Sequence, residues 1–151
     1  MHSAVISDAS CLIVLQKIGA LELLRQTYGE ITTTPEIERE VEFHLPRWVL
    51  VKSANQTLQM PTGIDSGEAS AIALALEIPD STIIIDDRAA RTYAKRLGLH
   101  VTGTLGVIVK AKLDGVITSI QPYVVAIRKT DFRFSPAIEA DAYEQASEEG
   151  Q

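Results

Sequence analysis

Short runs of β-branched apolar residues alternate along this chain with longer stretches whose apolar positions recur at helical spacing. The short runs predict strands at residues 4–7, 31–33, 48–52, 82–85 and 99–102. The longer stretches predict helices at 11–17, 21–28, 35–45, 67–76, 89–97, 105–113, 122–129 and about 136–146. Several boundaries carry their own chemistry. Thr34-Pro35 puts a capping hydroxyl before a proline at the first helical position, where the missing N–H costs nothing. Asp65-Ser66-Gly67-Glu68 has the spacing of a capping box, followed by the core stripe Ala69, Ile72, Ala73 and Leu76. Gly98 after Arg96-Leu97 is a helix stop. Strand–helix alternation with short turns implies parallel pairing with helices on both faces, a doubly wound α/β fold in a single domain over residues 1–151.

Four acidic landmarks fall where strands should meet helices: Asp8, Glu40, Glu68 and Asp86-Asp87. Ligands of parallel α/β sheets bind outside the carboxyl ends of the strands, where strand order reverses. Carboxylates gathered there repel one another unless protons or a hard cation compensate them. Each landmark also has a bland reading. Asp8 ends the first strand, and with Ser10 expected to cap the next helix its carboxylate is left without a structural task. Glu40 lies on the border of the stripe marked by Ile37 and Val41, while Glu38 and Glu42 point to solvent. Glu68 is either the return partner of the capping box or a carboxylate aimed into the crevice; the two roles are compatible. Of Asp86 and Asp87, one suffices as a cap before Arg88.

Arg88, Arg91 and Lys95 form a basic stripe, read as a solvated helix face or as a surface that positions phosphates. Thr102-Gly103-Thr104 reads as a turn and cap or as a phosphate approach. His2, His44 and His100 have no ligand spacing, which argues against zinc.

Composition narrows the choice. Over 151 residues, 46% are hydrophobic and 23% charged, which describes a folded chain able to bury a core. The lone Cys11 lies in an apolar run and is expected in the core of a protein from a reducing compartment. No apolar run nears the roughly 18 residues that span a bilayer, so a cytoplasmic protein without a membrane partner is expected. A net charge of −6 disfavours a passive nucleic-acid coat but not a nuclease, whose carboxylates turn positive once loaded with metal.

The segments Val5-Ile-Ser-Asp8-Ala-Ser10, Thr34-Pro35 to Glu40-Val41, Asp65-Ser-Gly-Glu68-Ala69, Ile85-Asp86-Asp87-Arg88 to Arg91, Thr102-Gly-Thr104-Leu-Gly106 and Phe132-Arg-Phe-Ser-Pro136 resemble the PIN-domain superfamily. The likeness is to a small single-domain prokaryotic branch related to VapC toxins. It implies a Rossmann-like three-layer sandwich around about five parallel strands. It also implies an endoribonuclease that uses Mg²⁺ or Mn²⁺ and metal-activated water, the toxin of a toxin–antitoxin pair. Asp8, Glu40, Glu68, Asp86 and Asp87 would be the catalytic set. Asp8 and Asp87 would be the main metal ligands, with Glu40 and Glu68 beside them and Ser10 and Thr104 in support. The third place is Glu68 where such chains usually carry aspartate, and the last is an adjacent pair. RNA, a small antitoxin protein and a second copy of the chain are the expected partners. A catalytically silent RNA- or protein-binding module on the same scaffold is the alternative.

Overall fold

The structure, a computed structural model, describes residues 4–148. Its elements in chain order are β1 (Val5–Ser7), α1 (Ala9–Lys17), α2 (Glu22–Tyr28), β2 (Ile31–Thr33), α3 (Pro35–Glu40), β3 (Val49–Val51), α4 (Ser66–Glu77), β4 (Thr82–Ile84), α5 (Arg88–Arg96), β5 (His100–Thr102), α6 (Thr104–Leu113), α7 (Gln121–Arg128) and α8 (Pro136–Gln145). The five strands form one parallel sheet in the order β3-β2-β1-β4-β5, with Ile6 opposite Thr32 on one side and Ile83 on the other. Helices complete a three-layer α/β sandwich. Among the described residues, no helix is long and apolar enough to cross a membrane.

Central strands covered on both faces must be apolar throughout rather than alternating. Ile83, Ile84 and Ile85 are all fully buried, as is Ile6 on the neighbouring strand. Helices α1, α4 and α6 supply most of the remaining core, including Leu12, Leu15, Ile72 and Ile108, and Cys11 is buried among them. The expected boundaries recur at α3 and α4. Thr34 Oγ1 accepts from Ile37 N at 3.3 Å ahead of Pro35, and the Asp65–Glu68 capping box is complete. Helix α5 ends as its sequence predicts, with Gly98 at φ +85° just beyond.

Three local expectations fail. Leu76, placed by its spacing in the core stripe of α4, is 40% exposed near the end of that helix. Helix α3 stops at Glu40 rather than near residue 45, and Val41 is already extended at φ −74°, ψ 137°. From there burial alternates: Val41, Phe43 and Leu45 turn toward the core while Glu42 and His44 face solvent. That period of two belongs to extended chain, and it overrides the helical reading of the same apolar residues. Ser10 does not cap α1, because the helix begins at Ala9 and Asp8 occupies the capping position.

Candidate functional site

The chain leaves β1 toward β2 on one side and later fills β4 and β5 on the other, so strand order reverses between β1 and β4. Their carboxyl ends therefore flank the crevice where such sheets bind ligands. Asp8 follows β1 directly, and its N–H donates to Ile84 O at 2.9 Å, which locks it against the end of β4. Its side chain makes no capping hydrogen bond among the described residues, although only 5% of the residue is exposed.

The acidic half of the crevice is assembled by α3 and α4. Glu68 N donates to Asp65 Oδ1 at 2.8 Å, and Glu68 Oε1 accepts from Asp65 N at 3.0 Å. This box holds Glu68 buried and near enough for its charge to act on Asp8 at the strand end. Glu40, the exposed last residue of α3, lies over the first turn of α4. A Cβ on Gly67 would sit 2.2 Å from Glu40 Oε1, so only glycine admits the carboxylate there. Thr34 and Ser70 hold the two helices together through a 2.6 Å hydroxyl contact.

These carboxylates raise one another's proton affinity. Asp8 is pushed up to about 7, first by burial, against the Ala9 N–H, and then by the charges of Glu68, Asp65 and Glu40. Burial also pushes Glu68 up to about 7, opposed by its bond from Asp65 N and reinforced by Asp65, Asp87 and Glu40. Glu40 is raised by burial and by Asp65. Asp8, Glu40 and Glu68 thus form one electrostatic group. Asp65 joins them as a member that the sequence presents only as a helix cap; its place two residues before Gly67 was the available signal.

The other half is different in kind. Asp86 Oδ1 accepts from Thr104 N at 2.8 Å, and Asp86 Oδ2 accepts from Thr104 Oγ1 at 2.6 Å and from Ser10 Oγ at 2.9 Å. Asp87 caps α5, accepting from Ala90 N at 3.0 Å, and is exposed. The adjacent pair therefore divides its tasks, with Asp86 turned inward and Asp87 holding the helix. Gly103 keeps a narrow space open beside them: its Cβ would lie 2.8 Å from Asp86 Oδ1 and 2.7 Å from Arg91 Nη1. Arg91 is half-buried and donates to Ile85 O at 3.0 Å, so it departs from a solvated face. Arg88, Arg91 and Lys95 border one groove of about 720 Å³, which Asp86, Thr102 and Gly103 also line.

Among the described residues, no three His, Cys, Asp or Glu side chains converge closely enough to hold a metal ion. The donor chemistry nonetheless suits a hard divalent cation. Every candidate donor is a carboxylate oxygen, and burial, reinforced by neighbouring negative charge, raises Asp8 and Glu68 to about 7, a cost that a bound cation would relieve. His44 and His100 are exposed, and His2 lies outside the described residues.

A family model described as a PIN domain matches residues 4–148. No curated protein and no solved structure matches the chain.

Proposed function

The chain belongs to the PIN-domain family, and from that premise we propose that it is a divalent-metal-dependent endoribonuclease related to VapC toxins. PIN domains are generally nucleases that use divalent metal ions. The observation that carries the reading here is the mutually repulsive group of Asp8, Glu40 and Glu68 at the switch point of the sheet. A scaffold alone has no use for two buried carboxylates, Asp8 and Glu68, gathered with Glu40, whose charge raises the proton affinity of both.

In this reading Asp8, Glu40, Glu68 and Asp87 would hold Mg²⁺ or Mn²⁺. When bound, such an ion supplies Lewis-acid stabilisation of charge on phosphate oxygens and acidifies water at the site. The chain's own residues do the remainder. Asp86, fixed by Ser10 and Thr104, orients what enters beside Gly103. Arg91 presents its guanidinium at the groove wall, where a phosphodiester would lie. Asp8 and Glu68, both raised to about 7 without a metal, would give up their protons as the ion binds. The expected setting is a cytoplasmic homodimer whose RNA cleavage a small antitoxin protein masks.

The test is cleavage of single-stranded RNA by purified protein with Mg²⁺ or Mn²⁺, abolished by EDTA. Asp8→Asn and Asp87→Asn should each cost about a hundredfold or more, the usual loss of one charged stabiliser. Cleavage that persists through EDTA or through both substitutions would sink the proposal. The lack of three converging ligands among the described residues favours the alternative, a catalytically silent RNA- or protein-binding module. RNA that binds but stays intact under every metal condition would establish it.

A further inference from the structure

The groove that starts at Asp86 does not end on α5. Its far wall is the connection between α7 and α8, where Phe132, Arg133, Phe134 and Ser135 meet α8. The same four residues also line a second hollow of about 490 Å³, so the segment stands as a ridge with a depression on either side. Phe132 and Phe134 are half-buried with ring centroids 6.3 Å apart, inclined at 41°. The ridge is held in shape. Phe132 N donates to Thr130 Oγ1 at 3.1 Å, Arg133 Nη1 donates to Thr130 O at 2.8 Å, and Ser135 Oγ caps α8 by accepting from Ile138 N at 3.1 Å. Lys17 anchors the preceding Asp131 at 2.8 Å.

Charge in this groove runs against the rest of the chain. Acidic residues outnumber basic ones 20 to 14 overall. The groove wall carries Arg88, Arg91, Lys95 and Arg133 against only Asp86 and Asp141. The ion pairs among the described residues use Lys17, Arg25, Lys110, Lys112 and Arg128, and none of the four groove cations. Unpaired cations beside fixed aromatic faces are what an unstacked polynucleotide recognises: phosphates along the basic wall and bases against the rings. A duplex keeps its base faces covered, and the carboxylates of an acidic peptide would meet the cations without engaging the rings.

We propose that Phe132 and Phe134 form a base-stacking platform for a single-stranded polynucleotide whose phosphates follow Arg88, Arg91, Lys95 and Arg133 toward Asp86. The inference rests on the nuclease reading of the strand-end site and adds a subsite at the opposite end of the groove. Both rings pack in part against the core, and the surface that each leaves uncovered lines the groove. Stacking makes the platform tolerant of base identity, because every base has a π-face.

The test is equilibrium binding by the full chain in EDTA, which separates binding from cleavage. The probes are short oligoadenylates carrying one 2-aminopurine, as RNA and as DNA, beside an abasic sugar–phosphate chain of equal length. Wild type should bind the base-bearing strands roughly tenfold tighter than the abasic chain, with quenched 2-aminopurine fluorescence. Phe132→Leu and Phe134→Leu keep apolar bulk at the core edge. Each should reduce that preference about fivefold or more and relieve the quenching, leaving abasic binding and melting temperature unchanged. Tyrosine at either position should restore it. Equal affinity for RNA and DNA, or a preference for RNA, both accord with the platform. Equal affinity for the abasic chain in wild type, or unaltered quenching in both leucine variants, overturns it. Failure of wild type to bind either oligoadenylate overturns it too and points to a protein occupant. Bound, quenched RNA that is never cut leaves the platform standing and removes only the nuclease reading.

Discussion

Asp8 and Asp86 follow adjacent strands and face the same crevice, yet they live in opposite circumstances. Asp86 receives three hydrogen bonds, from Thr104 N, Thr104 Oγ1 and Ser10 Oγ. Asp8 lies deeper, makes no capping bond among the described residues, and faces the charges of Glu68, Asp65 and Glu40. One carboxylate is held by hydrogen-bond donors from its neighbours, while the other is buried beside like charges. The difference teaches that a strand-end aspartate is not a functional signal by itself. What distinguishes the two carboxylates is whether hydrogen-bond donors have already met the charge.

The comparison breaks most sharply on stability. Asp86→Ala leaves a buried-side Thr104 N–H and two hydroxyls without their acceptor, and should cost about 1–3 kcal/mol. Asp8→Asn removes an unsatisfied charge, and above neutral pH should stabilise the metal-free protein by about 1–2 kcal/mol, roughly 3–6 °C in melting temperature. Thermal melts of both variants at pH 8 decide the matter; changes of the same sign would erase the distinction.

The next effect is on pH. Asp8 and Glu68 are both raised to about 7 in the folded chain. Between about pH 4 and 7 the folded protein keeps protons that the unfolded chain has already released. Stability of the metal-free protein should therefore fall as pH rises across that window and level off above it. Asp8→Asn should flatten much of the slope, and Mn²⁺ should offset the loss at pH 8 in wild type but far less in the variant. A wild-type profile that is flat, or that rises from pH 4 to 7, contradicts the electrostatic picture of the acidic half.

The smallest stability change belongs to Gly67→Ala. The new methyl displaces the flexible end of Glu40 rather than backbone, and alanine in a helix turn restricts the unfolded chain favourably. Stability should stay within about 0.5 kcal/mol, while RNA cleavage should fall roughly tenfold as Glu40 loses its seat. Unaltered cleavage would show that Glu40 takes no part.

Much of this was legible along the chain. The β-branched runs that mark the five strands need no tertiary context, because a strand covered on both faces has to be apolar throughout. The Asp65–Glu68 box and the Thr34-Pro35 start are local chemistry and occur where the residues predict them. Asp8, Glu40 and Glu68 feel one another's charge at the strand ends, yet among the described residues no three such side chains come close enough to hold a metal ion. Less was legible where two readings differ only in the direction of a side chain. Nothing in Asp86-Asp87 says which member turns inward, since that depends on Ser10 and Thr104, 76 and 18 residues away in the chain. The end of α3 misled for a related reason: Val41, Phe43 and Leu45 fit either period, and contact with the core selected the extended one.

The sequence by itself determined the class of fold, the parallel sheet and the acidic character of its carboxyl edge, because hydrophobic period and capping chemistry act between near neighbours. Only the tertiary structure decided which carboxylates are satisfied and which remain in conflict, that Asp65 joins them, and that Phe132 and Phe134 share a groove with the cations of α5. Those outcomes depend on burial and on the meeting of residues far apart in the chain, and charge–charge energies are set by that final geometry.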